Sequence, residues 1–264
     1  VVSRSDGPED LRGVGETEFA ARLAAAHTGN GPRIGAILAP IDYAQGKNFE
    51  RTLAAHEEAA NGLLRGFRGI THWHADPEIH KIHTQSNMLM ASAALDAIGV
   101  VNKKRLSLDV WGFHTQLSEV LNIARTYPDL ALVVDHFGTP LGCGAYERDP
   151  EGVFKDWSKA MAEIAKCPRV FVKIGGIGMR FSGLKFNYRD TPPSSEDIAA
   201  ALKPYYDFCI EKFGYDRCLF ESNFPVDKTS YAYAVLWNAY KRLAKDALPG
   251  DRARLFAGNA AAVY

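Results

Sequence analysis

The sequence has few cysteines and none of the patterns that build a scaffold from them. It contains four cysteines in 264 residues, without a CxxC pair, and it has no Asn-x-Ser/Thr glycosylation acceptor. Scattered thiols of this kind are typical of a reducing compartment. We therefore predict a cytoplasmic protein without a disulfide framework or a structural zinc.

Long hydrophobic runs and an excess of charge of either sign are also missing. The longest apolar runs, such as LALVV at 130–134, are too short to cross a bilayer. Lysine plus arginine equal aspartate plus glutamate, at 31 each. This balance, without a basic block, gives no electrostatic basis for binding nucleic acid or an anionic membrane. We expect a small-molecule substrate and leave a homo-oligomer open.

The sequence alternates strand-like and helix-like segments. Six segments are apolar at both odd and even positions, which is typical of strands covered on both faces. They are 33–40, 63–72, 105–114, 130–138, 169–178 and 217–224. Helical patterns lie between them, and before one of these helices Ser194 and Asp197 stand at capping-box spacing, with Gly214 at its end. The alternation predicts parallel strands joined by helical crossovers, in a doubly wound sheet or a closed barrel.

The polar residues favour the barrel. No phosphate-binding glycine motif follows any strand, whereas histidines collect at or just after strand ends, at His72, His74, His114 and His136. The C-terminal ends of the strands are where a (β/α)₈ barrel keeps its active site. We predict an α/β fold of this kind, a TIM barrel that forms one domain over residues 1–264.

The strand count falls short of eight. A helical pattern at 15–29 precedes the first of the six strands, and Val1 and Val2 resemble the end of a strand before that helix. We therefore expect that the sequence lacks the first strand–helix unit of the barrel and most of its second strand.

Five motifs in order carry a resemblance to a known family. They are FRGITHWHADPEI, VVDHFGTPLG, VKIGGIGM, FESNFPVDK and LFAGNAAAVY. With them the sequence resembles the amidohydrolase-related TIM barrels, which are metal-dependent-hydrolase-like, and within them the small-lactone hydrolases. That family opens with an HxH pair on its first strand, which this sequence does not show, in agreement with the missing front.

The resemblance implies roles for two residues. His136, in the DH motif, corresponds to a histidine that binds a metal or orients substrate. Asn223 stands where the family has an acid that serves as general base. An amide cannot take a proton from water near neutral pH and is a poor zinc ligand. The sequence therefore raises the question of which acid, if any, replaces the missing one.

Two carboxylates stand near Asn223. Glu221 shares its face of the strand but lies about 6.5 Å deeper, so we interpret it as a structural acid paired with Lys173 or Arg68. Asp227 lies in the following loop. Its role stays open between a helix cap or solvated charge and water activation or substrate binding.

The remaining histidines are predicted to contact substrate. His72 and His74 have the HxH spacing of metal ligands, but substrate contact or a satisfied loop histidine is the more common role of such a pair. His114 either contacts substrate or caps the next helix. Arg68 projects inward from the same strand that His72 ends, and we expect Arg68 or an arginine of the loop at 178–195 to hold a substrate carboxylate.

The segment at 178–195 is long for a connection between two elements and is predicted to cover the site. Its Arg180 and Arg189 provide positive charge suited to a carboxylate, which arginine binds in bidentate fashion. A solvated surface loop remains the alternative.

These residues predict a hydrolase of a small carboxylated lactone or a related cyclic ester or amide. Water oriented by His136 and Asn223 would attack the carbonyl, with Asp227 or a group in the missing front as base. No cofactor is expected. In the first alternative, a metal-dependent amidohydrolase or decarboxylase, histidines of the missing strand and His136 hold one zinc or manganese ion. In the second, the barrel binds a ligand without catalysis, through a degenerate site.

Overall fold

Six parallel strands form one sheet in the computed structural model, which describes residue 4 and residues 7–83 and 85–264. The strands are β1 (Ile37–Pro40), β2 (Leu64–Ile70), β3 (Ser107–Trp111), β4 (Leu132–Val134), β5 (Val170–Ile174) and β6 (Cys218–Phe220). Each lies inside one of the six predicted segments, so the predicted strands are confirmed. They are shorter than predicted, because one or both ends of each predicted segment fall in the loops that flank the strand.

Helices separate the strands. They are α1 (Val14–Ala26), α2 (Phe49–Ala59), α3 (Ser92–Lys103), α4 (Leu117–Thr126), α5 (Pro150–Ala165), α6 (Ser195–Phe213), α7 (Tyr233–Leu243), α8 (Pro249–Ala253) and α9 (Asn259–Val263). The predicted capping box opens α6, where Ser194 and Asp197 exchange hydrogen bonds, and Gly214 ends it at a φ of 74°. Among the described residues, none of these helices is long and apolar enough to span a membrane.

Each strand pairs in parallel with the next, in the order β1 to β6. A helical crossover after each strand makes this order that of a (β/α)₈ barrel, as predicted. The described residues provide six of its strands. Val1 and Val2 lie outside the described residues, so the missing first unit stays a prediction.

The apolar core lies between the outer face of the sheet and the helices. Phe67 of β2 is fully buried and packs edge-on against Phe49 of α2, with ring centroids 4.9 Å apart. Trp157 of α5 is also fully buried, and its indole nitrogen donates to the carbonyl of Phe137 at 2.6 Å. Burial of a phenylalanine side chain contributes about 1.5–3 kcal/mol, so this layer stabilises the packing of the helices on the sheet.

Candidate active site

His136 follows β4 in a strained turn. Both His136 and Phe137 have a φ of 55°, in the left-handed region that residues other than glycine rarely adopt. The turn presses the imidazole against Gly176, where an added Cβ would lie 2.0 Å from His136 Nδ1. Gly176 of the VKIGGIGM motif therefore gives room for this ring.

Both ring nitrogens of His136 have a partner. Nδ1 contacts Glu221 Oε1, which also accepts a hydrogen bond from the His136 backbone at 3.0 Å. Nη2 of Arg68 lies 3.0 Å from Nε2. A guanidinium only donates, so Nε2 accepts, and Nδ1 carries the proton that it donates to Glu221. His136 is therefore held as one neutral tautomer.

Beneath His136 lies a group of five charged residues, which we call the inner charged layer: Arg68, Asp109, Asp135, Lys173 and Glu221. Nζ of Lys173 pairs with Asp109 at 2.5 Å and with Asp135 at 2.9 Å. Nε of Arg68 pairs with Asp135 at 2.7 Å. Because β3 and β5 are not neighbours in the sheet, the contact between Lys173 and Asp109 crosses the concave interior. The direct partner of Glu221 is His136 rather than Lys173 or Arg68, so that part of the expectation was wrong.

Burial and ion pairing act against each other in this layer. Burial raises the pKa of Asp109 to about 6, although Lys173 opposes the rise. Burial also acts to raise the pKa of Asp135, but the attraction of Lys173 and Arg68 outweighs it and holds this pKa below its usual range. Neither aspartate was predicted from the sequence as part of the site. The signal for Asp109 was a charge inside an otherwise apolar strand, and that for Asp135 was a charge directly after one.

Asp227 is fully buried beside Asn223. The amide of Asn223 donates to Oδ1 at 2.7 Å, and Oδ2 accepts from the Tyr231 hydroxyl at 2.6 Å and from the Gly178 backbone at 3.1 Å. Burial raises the pKa of Asp227, against the effect of these donors. The N-cap of α7 is Ala232. Asp227 is therefore neither a solvated loop charge nor the cap of that helix.

His72 is buried in an aromatic cage. It stacks on Phe113 at 4.4 Å and meets Trp111 and Phe181 edge-on at 4.0 and 5.5 Å. Neither ring nitrogen has a hydrogen-bond partner among the described residues. Burial lowers the pKa of His72 to about 3, so the ring is neutral.

His74 and His114 meet at Tyr146. Nε2 of His74 lies 2.9 Å from the Tyr146 hydroxyl, and the His114 ring lies edge-on to Tyr146 at 5.3 Å. His114 is buried, its Nδ1 accepts from the Leu141 backbone at 3.2 Å, and burial lowers its pKa to about 4. His74 thus has a hydroxyl partner that His72 lacks, and the two do not form a chelating pair.

The loop after β5 covers His72 through Phe181, whose carbonyl accepts from the Gly142 backbone at 2.7 Å. Arg180 and Arg189 of this loop are exposed. Arg189 lies over the ring of Phe186 at 4.6 Å and 3.8 Å from Asp197. Within the described part of the chain, no hydrogen bond or ion pair joins either arginine to His136.

A family profile described as Amidohydrolase matches residues 9–264. The chain belongs to the amidohydrolase family. Among curated proteins, this amidohydrolase is 35% identical to the uncharacterized protein y4mH of Sinorhizobium fredii over 162 residues, 61% of this chain and 48% of y4mH. It is 26% identical to an L-fucono-1,5-lactonase of Burkholderia multivorans, over 94% of this chain and 76% of that enzyme. The chain spans about half the length of the first curated relatives that it matches.

Among solved structures, an amidohydrolase from Burkholderia multivorans with bound zinc superposes with a TM-score of 0.74 at 22% identity. The match covers 94% of this chain and 78% of that one. At this identity the likeness shows the fold, which agrees with the barrel inferred from the strand order.

The described residues of this amidohydrolase do not by themselves fit a divalent metal ion. They include no group of three or more His, Cys, Asp or Glu side chains placed to hold one. Both nitrogens of His136 are engaged, Nδ1 by Glu221 and Nε2 by Arg68. The histidines expected on the family's first strand are not among the described residues, so their contribution to a metal site stays a prediction.

Proposed function

We propose that this amidohydrolase opens a small carboxylated lactone, or a related cyclic ester or amide, by attack of water at the C-terminal mouth of the barrel. The observation that carries the proposal is the contact of Arg68 with His136, which puts a cation for a substrate carboxylate beside a histidine that can handle a proton. The L-fucono-1,5-lactonase at 26% identity supports a lactone as the substrate, and the carboxylate is inferred from Arg68 alone.

Each residue at the mouth has a role in this proposal. Arg68 is 34% exposed, so an incoming carboxylate can reach it. His136 and the half-buried Asn223 orient the attacking water, and the Asn223 amide keeps its oxygen available while its nitrogen donates to Asp227. Asp227 fixes Asn223. The free state of all four cysteines supports a cytoplasmic location for the reaction.

The zinc-bound neighbour favours a second candidate, a metal-dependent amidohydrolase or decarboxylase. In that reaction the metal would polarise a substrate oxygen or activate water. No described group of residues holds it, so this candidate depends on ligands from outside the described residues.

Proton release against a panel of carboxylated lactones, with and without a strong chelator, tests both candidates. We expect turnover that survives the chelator and is lost in His136→Ala. Turnover that disappears with the chelator and returns with zinc or manganese would favour the second candidate. Unchanged turnover in His136→Ala would refute the role given to that histidine.

A further inference from the structure

The proposed reaction needs a group that takes the proton of water, and Asn223 cannot. Three carboxylates lie near His136. Asp135 is fully buried and paired with Arg68 and Lys173, and Asp227 is fully buried under three hydrogen-bond donors. Neither has a free, solvated oxygen with which to meet water. The third, Glu221, reaches the reaction through His136.

Glu221 and His136 form a carboxylate–imidazole pair. Glu221 Oε1 accepts from both the ring Nδ1 and the backbone nitrogen of His136, so one oxygen fixes the ring from two directions. The Glu221 side chain is 13% exposed and that of His136 is 1% exposed, so the pair is largely screened from water. A carboxylate on Nδ1 sets the tautomer and stabilises the imidazolium that forms when Nε2 takes a proton.

Arg68 is already hydrogen-bonded to Nε2, the nitrogen that would take that proton. Its Nη2 donates to Nε2 at 3.0 Å, while its Nε is anchored on Asp135 at 2.7 Å. The His136 base is therefore held in position, but Arg68 blocks its accepting nitrogen. We call this contact of Arg68 with Nε2 the cap of His136. An ionised carboxylate is a stronger acceptor for a guanidinium than a neutral imidazole nitrogen is.

From this geometry we infer that Glu221 is the positioning residue that makes His136 the general base, and that a substrate carboxylate uncaps His136 by drawing away the Nη2 donor of Arg68. The inference rests on the proposed function and deepens it, because it makes the negative charge of the substrate a condition of catalysis. A neutral lactone leaves Nε2 occupied.

The proton balance of the step is complete without another reactant. The water oxygen bonds to the lactone carbonyl carbon, and one water proton moves to Nε2 of His136, whose new charge faces Glu221. When the tetrahedral intermediate collapses, the ring C–O bond breaks. The imidazolium then returns its proton to the leaving alkoxide, giving the hydroxy acid.

Matched substrates separate uncapping from mere affinity. We would compare a γ-butyrolactone carboxylate with its uncharged carboxamide in the full chain. Wild type should prefer the carboxylate by about 100-fold or more in kcat/KM. In Arg68→Gln, turnover of the carboxylate should fall while that of the carboxamide is kept or rises. An equal loss on both substrates would show that Arg68 is structural and would overturn the inference.

The role of Glu221 is tested by Glu221→Gln, which keeps the shape of the side chain and removes its charge. We expect kcat for the carboxylate substrate to fall by about 10²–10⁴-fold with little change in KM. The matched control is Glu18→Gln. Glu18 lies on α1 and is ion-paired with Arg4, so this variant should leave kcat unchanged. Wild-type kcat in Glu221→Gln would overturn the inference.

A spectroscopic measurement separates the cap from the proposed function. The ¹⁵N signals of the His136 ring should show a protonated Nδ1 and an accepting Nε2. Adding the ring-opened hydroxy acid should shift Nε2 in wild type and not in Arg68→Gln. A shift without turnover of any lactone would uphold the cap and refute the lactonase. Turnover without a shift would refute the cap.

Discussion

Two buried histidines at the mouth of the barrel, His136 and His72, both pack against Trp111 but are held by opposite means. His136 has a carboxylate on one nitrogen and a guanidinium on the other. His72 has three aromatic neighbours and no polar partner among the described residues. Polar partners fix a tautomer and a direction for proton transfer, whereas aromatic packing keeps a ring neutral without directing it. The difference identifies His136 as the chemically prepared residue.

The largest effect should come from the ion pairs beneath His136. Lys173→Met leaves Asp109 and Asp135 buried without their shared cation, so we expect the free energy of unfolding to fall by about 3–5 kcal/mol. Chemical denaturation measures this loss. The control is Lys203→Met, which removes an exposed pair with Asp207 and should change stability by less than about 0.5 kcal/mol. Equal effects would mean that the inner charged layer does not stabilise the barrel.

The same substitution at both histidines tests the comparison directly. His136→Phe leaves Glu221 without its partner and removes one of the two partners of Arg68, so we expect a loss of about 2–4 kcal/mol in the free energy of unfolding. His72→Phe replaces a ring that makes no described hydrogen bond with an apolar ring of similar shape, so its effect should stay within about 1 kcal/mol. Similar losses in both variants would contradict the contrast between polar and aromatic support.

The sequence predicted the six strands and their parallel order because apolar runs on both parities separated by helical patterns are local signals. It also predicted that Arg68 and Lys173 point inward, since alternation along a strand needs no tertiary information. The partner of Glu221 was not predictable in this way. That pairing depends on the register of β4 against β6 and on the left-handed turn at His136, and neither is encoded within one segment.

Acid titration should reveal the burial of His72. Its pKa is lowered to about 3, so below pH 6.5 the unfolded chain binds a proton at this residue that the folded chain refuses. Between pH 6 and pH 4, the free energy of unfolding of wild type should therefore fall by about 2.5 kcal/mol more than that of His72→Phe. His56 and His114, with pKa values lowered to about 4, titrate alike in both proteins and cancel. A difference in free energy of unfolding between wild type and His72→Phe that stays constant across this range would show that His72 is protonated in the folded state.

The smallest effects should come from the loop that covers His72. Arg180 and Arg189 were expected to hold the substrate carboxylate, yet both are exposed, and Arg189 already lies against Phe186 and Asp197. Replacing either by alanine should change stability by less than about 0.5 kcal/mol, as for other exposed pairs. Arg68→Gln should raise KM for a carboxylated lactone, whereas the two alanine variants should leave it within about twofold of wild type. If Arg180→Ala or Arg189→Ala raised KM as much as Arg68→Gln, the substrate would lie on the His72 side of Trp111, and the contrast between the two histidines would be reversed.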